Sequence, residues 1–331
     1  MTDRRMFLAG AALATLTAPF ITGAQPASKL PRIGVLSFGT APAGNAPDPS
    51  KGLSQGLIEH GYVEGRNILI ERRYADARPE RLDALAAELV RLNVDVILAG
   101  GPAPRVAAIK ATRTIPIVTV SGSDPVGEGW ARSLAPPGGN VTGLTVTFPE
   151  LAAKCLELLK QAFPETVRVG VLVAPAEIAA ASLFKRDFEL DAKRLGLQLQ
   201  WLEVRGPDDF DAAFEFARKS RSQAVFAITT NMVVTHRARL AALVTQAGLL
   251  STSQFPLMVQ AGFLMSYGAD LDDLVRRSIA QVDKILKGAR AGDLPIERPT
   301  KFQLVVNLTA AKALGLTLPQ SLLLRADEVI Q

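Results

Sequence analysis

Cysteine and histidine are almost missing from this sequence of 331 residues. The single cysteine, Cys155, cannot form a disulfide within the chain, and we expect it to be a small buried side chain on a helix. The two histidines, His60 and His236, belong to no His-Glu-x-x-His pattern, and no Cys-x-x-Cys pattern is present. The sequence therefore predicts neither a metal site nor a cofactor.

Aromatic residues are also scarce, at 6% of the chain, although the net charge is +5. Proteins that stack nucleic-acid bases interleave aromatic and basic side chains. Here the basic residues are scattered in short groups such as Arg276-Arg277, and no stacking pattern accompanies them. We interpret them as solvated surface residues, so no nucleic-acid partner is predicted.

After residue 25 the sequence has no apolar run long enough to cross a bilayer. The first 24 residues combine Arg4-Arg5, an apolar stretch over Met6–Ile21 and small residues up to Ala24, which is the pattern of a signal peptide. A membrane anchor is the alternative, but the run is short and contains Pro19. The arginine pair fits either a twin-arginine or a Sec signal. We predict a soluble periplasmic protein.

Short apolar strands alternate with helices along the rest of the chain, which indicates an α/β fold with parallel strands joined by right-handed crossovers. Two doubly wound, Rossmann-like lobes joined by a multi-strand hinge are predicted. The first lobe is expected over 30–139 plus about 268–292, and the second over 140–260 plus about 300–331. Candidate crossings are 136–147, 255–268 and 292–301. Ligands of such sheets bind beyond the carboxyl ends of the strands, so the cleft between the lobes is the expected site.

Gly52-Leu53-Ser54-Gln55-Gly56 matches the G-x-S-x-G pattern of α/β-hydrolases. That chemistry needs the serine on a sharp turn between a strand and a helix. Here a loop over 41–49 precedes the motif, and its leucine spacing indicates that the motif lies inside a helix. A chance match and a secreted serine hydrolase using Ser54 are the two interpretations.

Polar and small residues follow several predicted strands of the first lobe. Ser37 ends the first strand, and Gly100-Gly101 follows the third, where backbone N–H groups could hold a carboxylate or form an ordinary tight turn. Ser123 and Asp124 follow the fourth strand and suit either a polar ligand or helix capping. Trp130 could line the cleft or pack in the core.

Several blocks of the chain, in this order and spacing, resemble one family. They are Gly52–Glu71, Thr114–Val118, Asp124–Val126, Pro137–Gly143, Met265–Gly268, Val282–Gly288 and Leu314–Ile330. Over about 30–331 the sequence is similar to the ABC-transporter substrate-binding proteins that include the tryptophan/tyrosine-type binding proteins. The resemblance implies a type 1 periplasmic-binding-protein fold, no catalysis and a membrane permease as partner.

The resemblance also implies ligand or hinge positions at Asp124, Asn140, Thr142, Asn231 and Tyr267, with Asn140 alternatively satisfying its turn. Ala174-Pro175-Ala176-Glu177 stands where the amino-acid binders tend to carry an asparagine. The complete predicted ligand-binding set is Ser37, Gly101, Ser123, Asp124, Asn140, Thr142, Asn231 and Tyr267.

The predicted function is capture of a small organic ligand by lobe closure and its delivery to an importer. The expected ligand is an aromatic or branched amino acid, or a related carboxylate with an apolar body. A sensor subunit that docks on a receptor kinase would have the same fold and site, and it stays open as the alternative. A monomer is expected.

Overall fold

The computed structural model describes residues 30–41, 51–122, 124–146, 148–174 and 181–331. The predicted signal peptide over residues 1–24 lies outside this part of the chain. The first series of elements is β1 (Arg32–Ser37), α1 (Lys51–Glu59), β2 (Leu69–Tyr74), α2 (Leu82–Arg91), β3 (Val96–Gly100), α3 (Pro102–Ala111), β4 (Ile117–Ser121) and β5 (Val141–Thr145).

The chain continues through α4 (Phe148–Ala162), β6 (Arg168–Val173), α5 (Ala181–Arg194), β7 (Gln198–Glu203), α6 (Phe210–Lys219), β8 (Ala224–Ala227), α7 (Asn231–Thr235), α8 (Arg237–Gln246), β9 (Leu250–Ser253), α9 (Pro256–Gln260) and β10 (Met265–Gly268). It ends with α10 (Leu271–Leu286), β11 (Gln303–Asn307), α11 (Leu308–Ala313), α12 (Gln320–Leu323) and β12 (Glu328–Ile330).

The first lobe is a five-stranded parallel sheet in the order β2-β1-β3-β4-β5. Its central strands are continuous apolar runs, as expected where helices cover both faces of a parallel sheet. The core on one face includes residues of α2 and α3, and the core on the other face includes residues of α1 and α10. Two layers of helices therefore enclose this sheet.

The second lobe is a seven-stranded sheet in the order β12-β11-β10-β9-β8-β6-β7. Only β10 and β11 pair antiparallel, and the other pairings are parallel. Two large cores cover its two faces, one around Phe226 and Phe188 and the other around Phe210 and Phe263. In both sheets the parallel strands therefore end at one carboxyl edge.

The lobe boundaries differ from the predicted ones. The predicted boundary puts β5 in the second lobe, but β5 pairs with β4 from Ile117↔Val141 to Ser121↔Thr145, so the chain leaves the first sheet only after Thr145. It returns between β10 and α10, not within 255–268, and it leaves again after Glu297, whose amide donates to Gly143 O. We call the crossings after Val146, at 269–270 and at 298–302 the hinge. Their positions depend on strand pairing, which an apolar run does not specify.

The G-x-S-x-G motif lies inside α1, where its two glycines are the contact surface for α10. A Cβ on Gly52 would overlap the carbonyl of Asp272, and one on Gly56 would lie 2.8 Å from Arg276 O. Ser54 is exposed on the opposite side of the helix. The motif therefore serves close packing of two helices, and the sharp turn that a hydrolase needs is not formed there.

Among the described residues, no helix is both long and apolar enough to span a bilayer. Within the same part of the chain, no group of three or more histidine, cysteine, aspartate or glutamate side chains is placed to hold a metal ion. Cys155 is fully buried on α4, as predicted, and its thiol donates to Ser253 O and Tyr267 O. Burial raises the pKa of this thiol to about 12, so it stays protonated.

Candidate ligand-binding cleft

The carboxyl edges of the two sheets face each other, because Gly101 of the first lobe contacts Asn231 of the second. Gly101 follows β3 and Asn231 begins α7, which comes after β8. A Cβ built on Gly101 would lie 2.5 Å from Oδ1 and 2.8 Å from Nδ2 of Asn231. Ser37, at the carboxyl end of β1, pairs in register with Gly100. The structure thus brings together Ser37, Gly101 and Asn231 from the predicted set.

Gly101 has two reasons to be glycine. Its φ is +95° with ψ 173°, a backbone conformation that is essentially confined to glycine. The absence of a side chain also leaves room for the Asn231 carboxamide. The local turn geometry and the interlobe contact therefore both require glycine at this position.

The predicted backbone cradle for a carboxylate at the start of α3 is poorly supplied with donors. The Gly101 amide already donates to Val120 O, and the Arg105 amide donates to Gly101 O. Pro102 and Pro104 have no N–H group. Among residues 101–105, only Ala103 has a backbone N–H group left to bind a carboxylate. The ordinary tight turn, the second of the two interpretations, therefore describes this segment.

A buried arginine that sequence analysis did not identify lies at the same edge. Arg105 is 2% exposed, and its Nη1 donates to Ser121 Oγ at 3.0 Å. Its Nη2 bonds to the Glu128 carboxylate, and its guanidinium lies 4.9 Å from the centroid of the Trp130 ring. Burial lowers the pKa of Arg105, and Glu128 opposes that shift.

The Glu128 carboxylate neutralises the positive charge of Arg105 within the first lobe. Such pairing is needed because a buried charge is tolerated only when it is paired. Trp130 is held partly in the core by the same contact. An arginine in the first turns of a helix is too common for sequence analysis to single it out.

The second lobe presents two carboxamides at its carboxyl edge, Asn231 and Gln254. Gln254 directly follows β9 and is fully buried. Its Oε1 accepts hydrogen bonds from the Thr229 amide at 3.1 Å and the Thr229 hydroxyl at 3.0 Å. Thr230 caps α7 by accepting from the Val233 amide. Gln254 was not predicted, and its position as the polar residue directly after β9 is the signal that could have found it.

Asp124 lies after β4 but bonds within its own loop. Its Oδ1 accepts from the Val126 amide at 3.1 Å, and its carboxylate also stands where a Cβ of Gly127 would be. The side chain is exposed. The carboxylate therefore stabilises the turn after β4, and the helix that the capping interpretation required is not formed over 124–129. Ser123 lies outside the described residues.

Asn140 is placed away from the cleft, which corrects its prediction as a ligand contact. It precedes β5 and therefore stands at the amino edge of the first sheet. Its Nδ2 donates to Ile115 O at 2.9 Å and to Thr112 O at 3.3 Å. Asn140 thus connects two turns. It lies away from the cleft because the amino and carboxyl ends of a strand lie on opposite edges of the sheet.

Thr142 is fully buried within β5 and is also a structural residue. Its hydroxyl donates to Leu294 O at 2.9 Å, which fastens the segment leading to the third crossing onto the first sheet. Tyr267, at the carboxyl end of β10, stacks on Phe302 with ring centroids 6.0 Å apart and planes 18° apart. Tyr267 therefore contacts the third crossing, whereas Thr142 ties β5 to the segment that precedes that crossing.

Comparison with known sequences identifies a family. Residues 33–330 match the sequence model of the family described as ABC transporter substrate binding protein. A tyrosine-binding protein of Clostridioides difficile (strain R20291) is 26% identical over 267 residues, which are 80% of this chain and 76% of that protein.

Solved structures show the same fold. A conserved domain protein from Vibrio cholerae is 30% identical with a TM-score of 0.83, covering 91% of this chain and 100% of its own. An ABC domain from Streptococcus pneumoniae in complex with L-Trp has a TM-score of 0.82 at 24% identity, with the same coverage. The predicted two-lobed, type 1 periplasmic-binding-protein fold is confirmed.

Proposed function

Because the chain belongs to the family of ABC transporter substrate-binding proteins, we propose that it captures a small organic ligand between its lobes and delivers it to the membrane permease of an importer. The ligand is an aromatic or branched amino acid, or a related carboxylate. Relatives described as binding tyrosine and L-Trp support this class.

The observation that carries the proposal is the contact between Gly101 and Asn231. The two residues belong to different sheets and meet at the edges where ligands of α/β sheets bind. The contact lies outside the hinge, so it depends on lobe closure. A molecule bound beside it therefore touches both lobes. Such a ligand stabilises the closed form by its differential affinity for that form.

The proposed ligand contacts are Ser37, Gly101, Ser123 and Asn231, with Asp124 and Tyr267 at the margins of the cleft. The proposed location is the periplasm, reached through the signal sequence in residues 1–24. Fractionation of expressing cells tests this location, since a cytoplasmic protein would stay with cytoplasmic markers.

A thermal-shift screen of the purified chain lacking residues 1–24 tests ligand capture. The panel holds amino acids, aromatic acids and short branched acids. A ligand at 100 times its Kd stabilises the folded protein by about 2.7 kcal/mol, which is readily measured. Stabilisation confined to one chemical class supports the proposal. The absence of any shift, repeated on refolded protein to remove co-purified ligand, contradicts it.

Uptake of the stabilising compound by a deletion strain tests delivery to an importer. Loss of uptake identifies a transport protein, whereas unchanged uptake with altered gene regulation identifies a sensor subunit. Ser54→Ala separates binding from hydrolysis, because Ser54 is exposed on α1 and we expect ligand affinity to be unchanged.

A further inference from the structure

Two buried N–H₂ groups at the carboxyl edge of the second sheet have no hydrogen-bond acceptor in the structure. They are Nδ2 of Asn231 and Nε2 of Gln254. A buried donor without an acceptor loses its hydration without compensation, and native proteins keep few such groups. Both belong to segments that directly follow neighbouring parallel strands, β8 and β9.

The orientation of the Gln254 carboxamide is fixed by its other half. Oε1 accepts from the Thr229 amide and hydroxyl, and a rotation of the carboxamide that exchanged its oxygen and nitrogen would set Nε2 against the Thr229 N–H group and break that bond. Thr229 is two residues before Asn231, so the same loop holds both carboxamides. In Asn231 the carboxamide is covered by Gly101 of the other lobe. Separation of the lobes would therefore open it to an entering ligand.

We propose that Asn231 Nδ2 and Gln254 Nε2 donate hydrogen bonds to the carboxylate of the ligand, so that the second lobe recognises this group. This inference rests on the proposed function and specifies its ligand chemistry. A carboxylate offers two oxygens with about four acceptor positions, and it accepts stronger hydrogen bonds than a neutral oxygen does. It can therefore satisfy both donors, while an ammonium group, which only donates, cannot.

The first lobe offers less to a carboxylate. Gly101 and Arg105 use their amides within the protein, and two prolines remove further donors from the start of α3. The Arg105 guanidinium is bound by Glu128 and Ser121. Trp130 Nε1 is a buried donor of the first lobe without an acceptor, but its ring lies against the Arg105 guanidinium. The two amide N–H₂ groups without acceptors, those of Asn231 and Gln254, stand on the second lobe.

Isosteric amide-to-carboxylate variants test the inference. Gln254→Glu keeps an oxygen that accepts from Thr229 but replaces the N–H₂ group by a second oxygen, which repels a ligand carboxylate. Asn231→Asp makes the same change at the residue that contacts Gly101. Asn307→Asp is the matched control, because Asn307 is buried in the same sheet at its opposite edge and donates to Val259 O.

The probes are pairs that differ in the carboxylate, namely L-tyrosine with tyramine, L-leucine with isoamylamine, and benzoate with benzyl alcohol. Affinities are measured by calorimetry on each folded variant. We expect the wild-type protein to bind carboxylate members only. Loss of one hydrogen bond to a charged acceptor weakens binding about 10- to 100-fold, so Gln254→Glu and Asn231→Asp should fall in or beyond that range. Asn307→Asp should stay within about twofold of the wild type.

Each outcome decides between the two proposals. Carboxylate binding that survives both cleft variants within twofold overturns the inference and leaves ligand capture intact. Tight binding of a carboxylate-free probe by the wild-type protein overturns it as well. If the wild-type protein binds none of the six probes, the carboxylate class and the ligand class of the proposed function both fail. If Gln254→Glu does not fold, the same criteria are applied to Asn231→Asp, whose residue is only partly buried.

Discussion

Replacement of Gly101 by alanine should hold the lobes apart. The new Cβ would stand 2.5 Å from Oδ1 of Asn231, whereas non-bonded atoms prefer about 3.5–4.0 Å, so closure requires a shift of about 1 Å. The backbone itself adds a cost of about 1–3 kcal/mol, because φ is +95° at this position. The backbone cost acts on folding, and the steric cost acts only on the closed form.

Gly288→Ala separates the two costs. Gly288 has φ +100°, but a Cβ there would meet nothing within 4 Å. We expect both variants to lower the free energy of unfolding by similar amounts, and only Gly101→Ala to lower ligand affinity and the closed fraction.

A double-mutant cycle isolates the interlobe contact. Asn231→Ala removes the carboxamide that the Gly101→Ala methyl group would meet, so the double variant should recover closure. Coupling between contacting residues is about 0.5–3 kcal/mol, which corresponds to about 2- to 150-fold in the ratio of closed to open molecules.

The assay is a distance measurement between one introduced, labelled cysteine on each lobe, since Cys155 is buried and will not react. A closed fraction in Gly101→Ala equal to that in Gly288→Ala, with additive effects in the cycle, would refute the reasoning.

Three further perturbations have defined outcomes. Arg105→Met leaves the Glu128 carboxylate without its buried partner and should cost about 3–5 kcal/mol in chemical denaturation, with partial recovery on adding Glu128→Gln. Burial and the hydrogen bond to Asp283 raise the pKa of Tyr62 from 10.0 to about 12. The folded protein therefore keeps this proton where the unfolded chain loses it, and its stability should fall as pH rises from 10 to 12. The difference in unfolding free energy between wild type and Tyr62→Phe should shrink across that range, and a constant difference would contradict the pKa shift. Gly56→Val should separate α1 from α10 and destabilise the fold by about 1–3 kcal/mol, whereas an unchanged melting temperature would show that the helices do not pack closely.

The sequence predicted the fold because the signals of an α/β fold are local. Apolar runs such as Val96–Gly100 and Ile117–Ser121 indicate buried parallel strands wherever they stand in the chain. Glycines and prolines marked the turns between them. The positions of Ser37, Gly101 and Asn231 followed, because a residue after a parallel strand lies at the carboxyl edge of its sheet.

The same reasoning was wrong for residues whose place depends on pairing. The prolines and glycines over 136–139 suggested a crossing to the second lobe, and the resemblance implied a ligand or hinge position at Asn140, but only the hydrogen bonds to β4 show that β5 closes the first sheet. Asn140 then falls at the amino edge, opposite the cleft. Strand order is a non-local property, so a single sequence does not specify it.

The sequence by itself determined the strand–helix alternation, the glycine at position 101 and the segments that reach the cleft, because backbone sterics and apolar periodicity act over a few residues. Tertiary structure alone decided which polar side chains have hydrogen-bond partners. Arg105 meets Glu128 across 23 residues, and Gln254 meets Thr229 across 25. Whether a polar atom is paired or left for a ligand is set by such contacts between distant segments, and burial makes that difference costly.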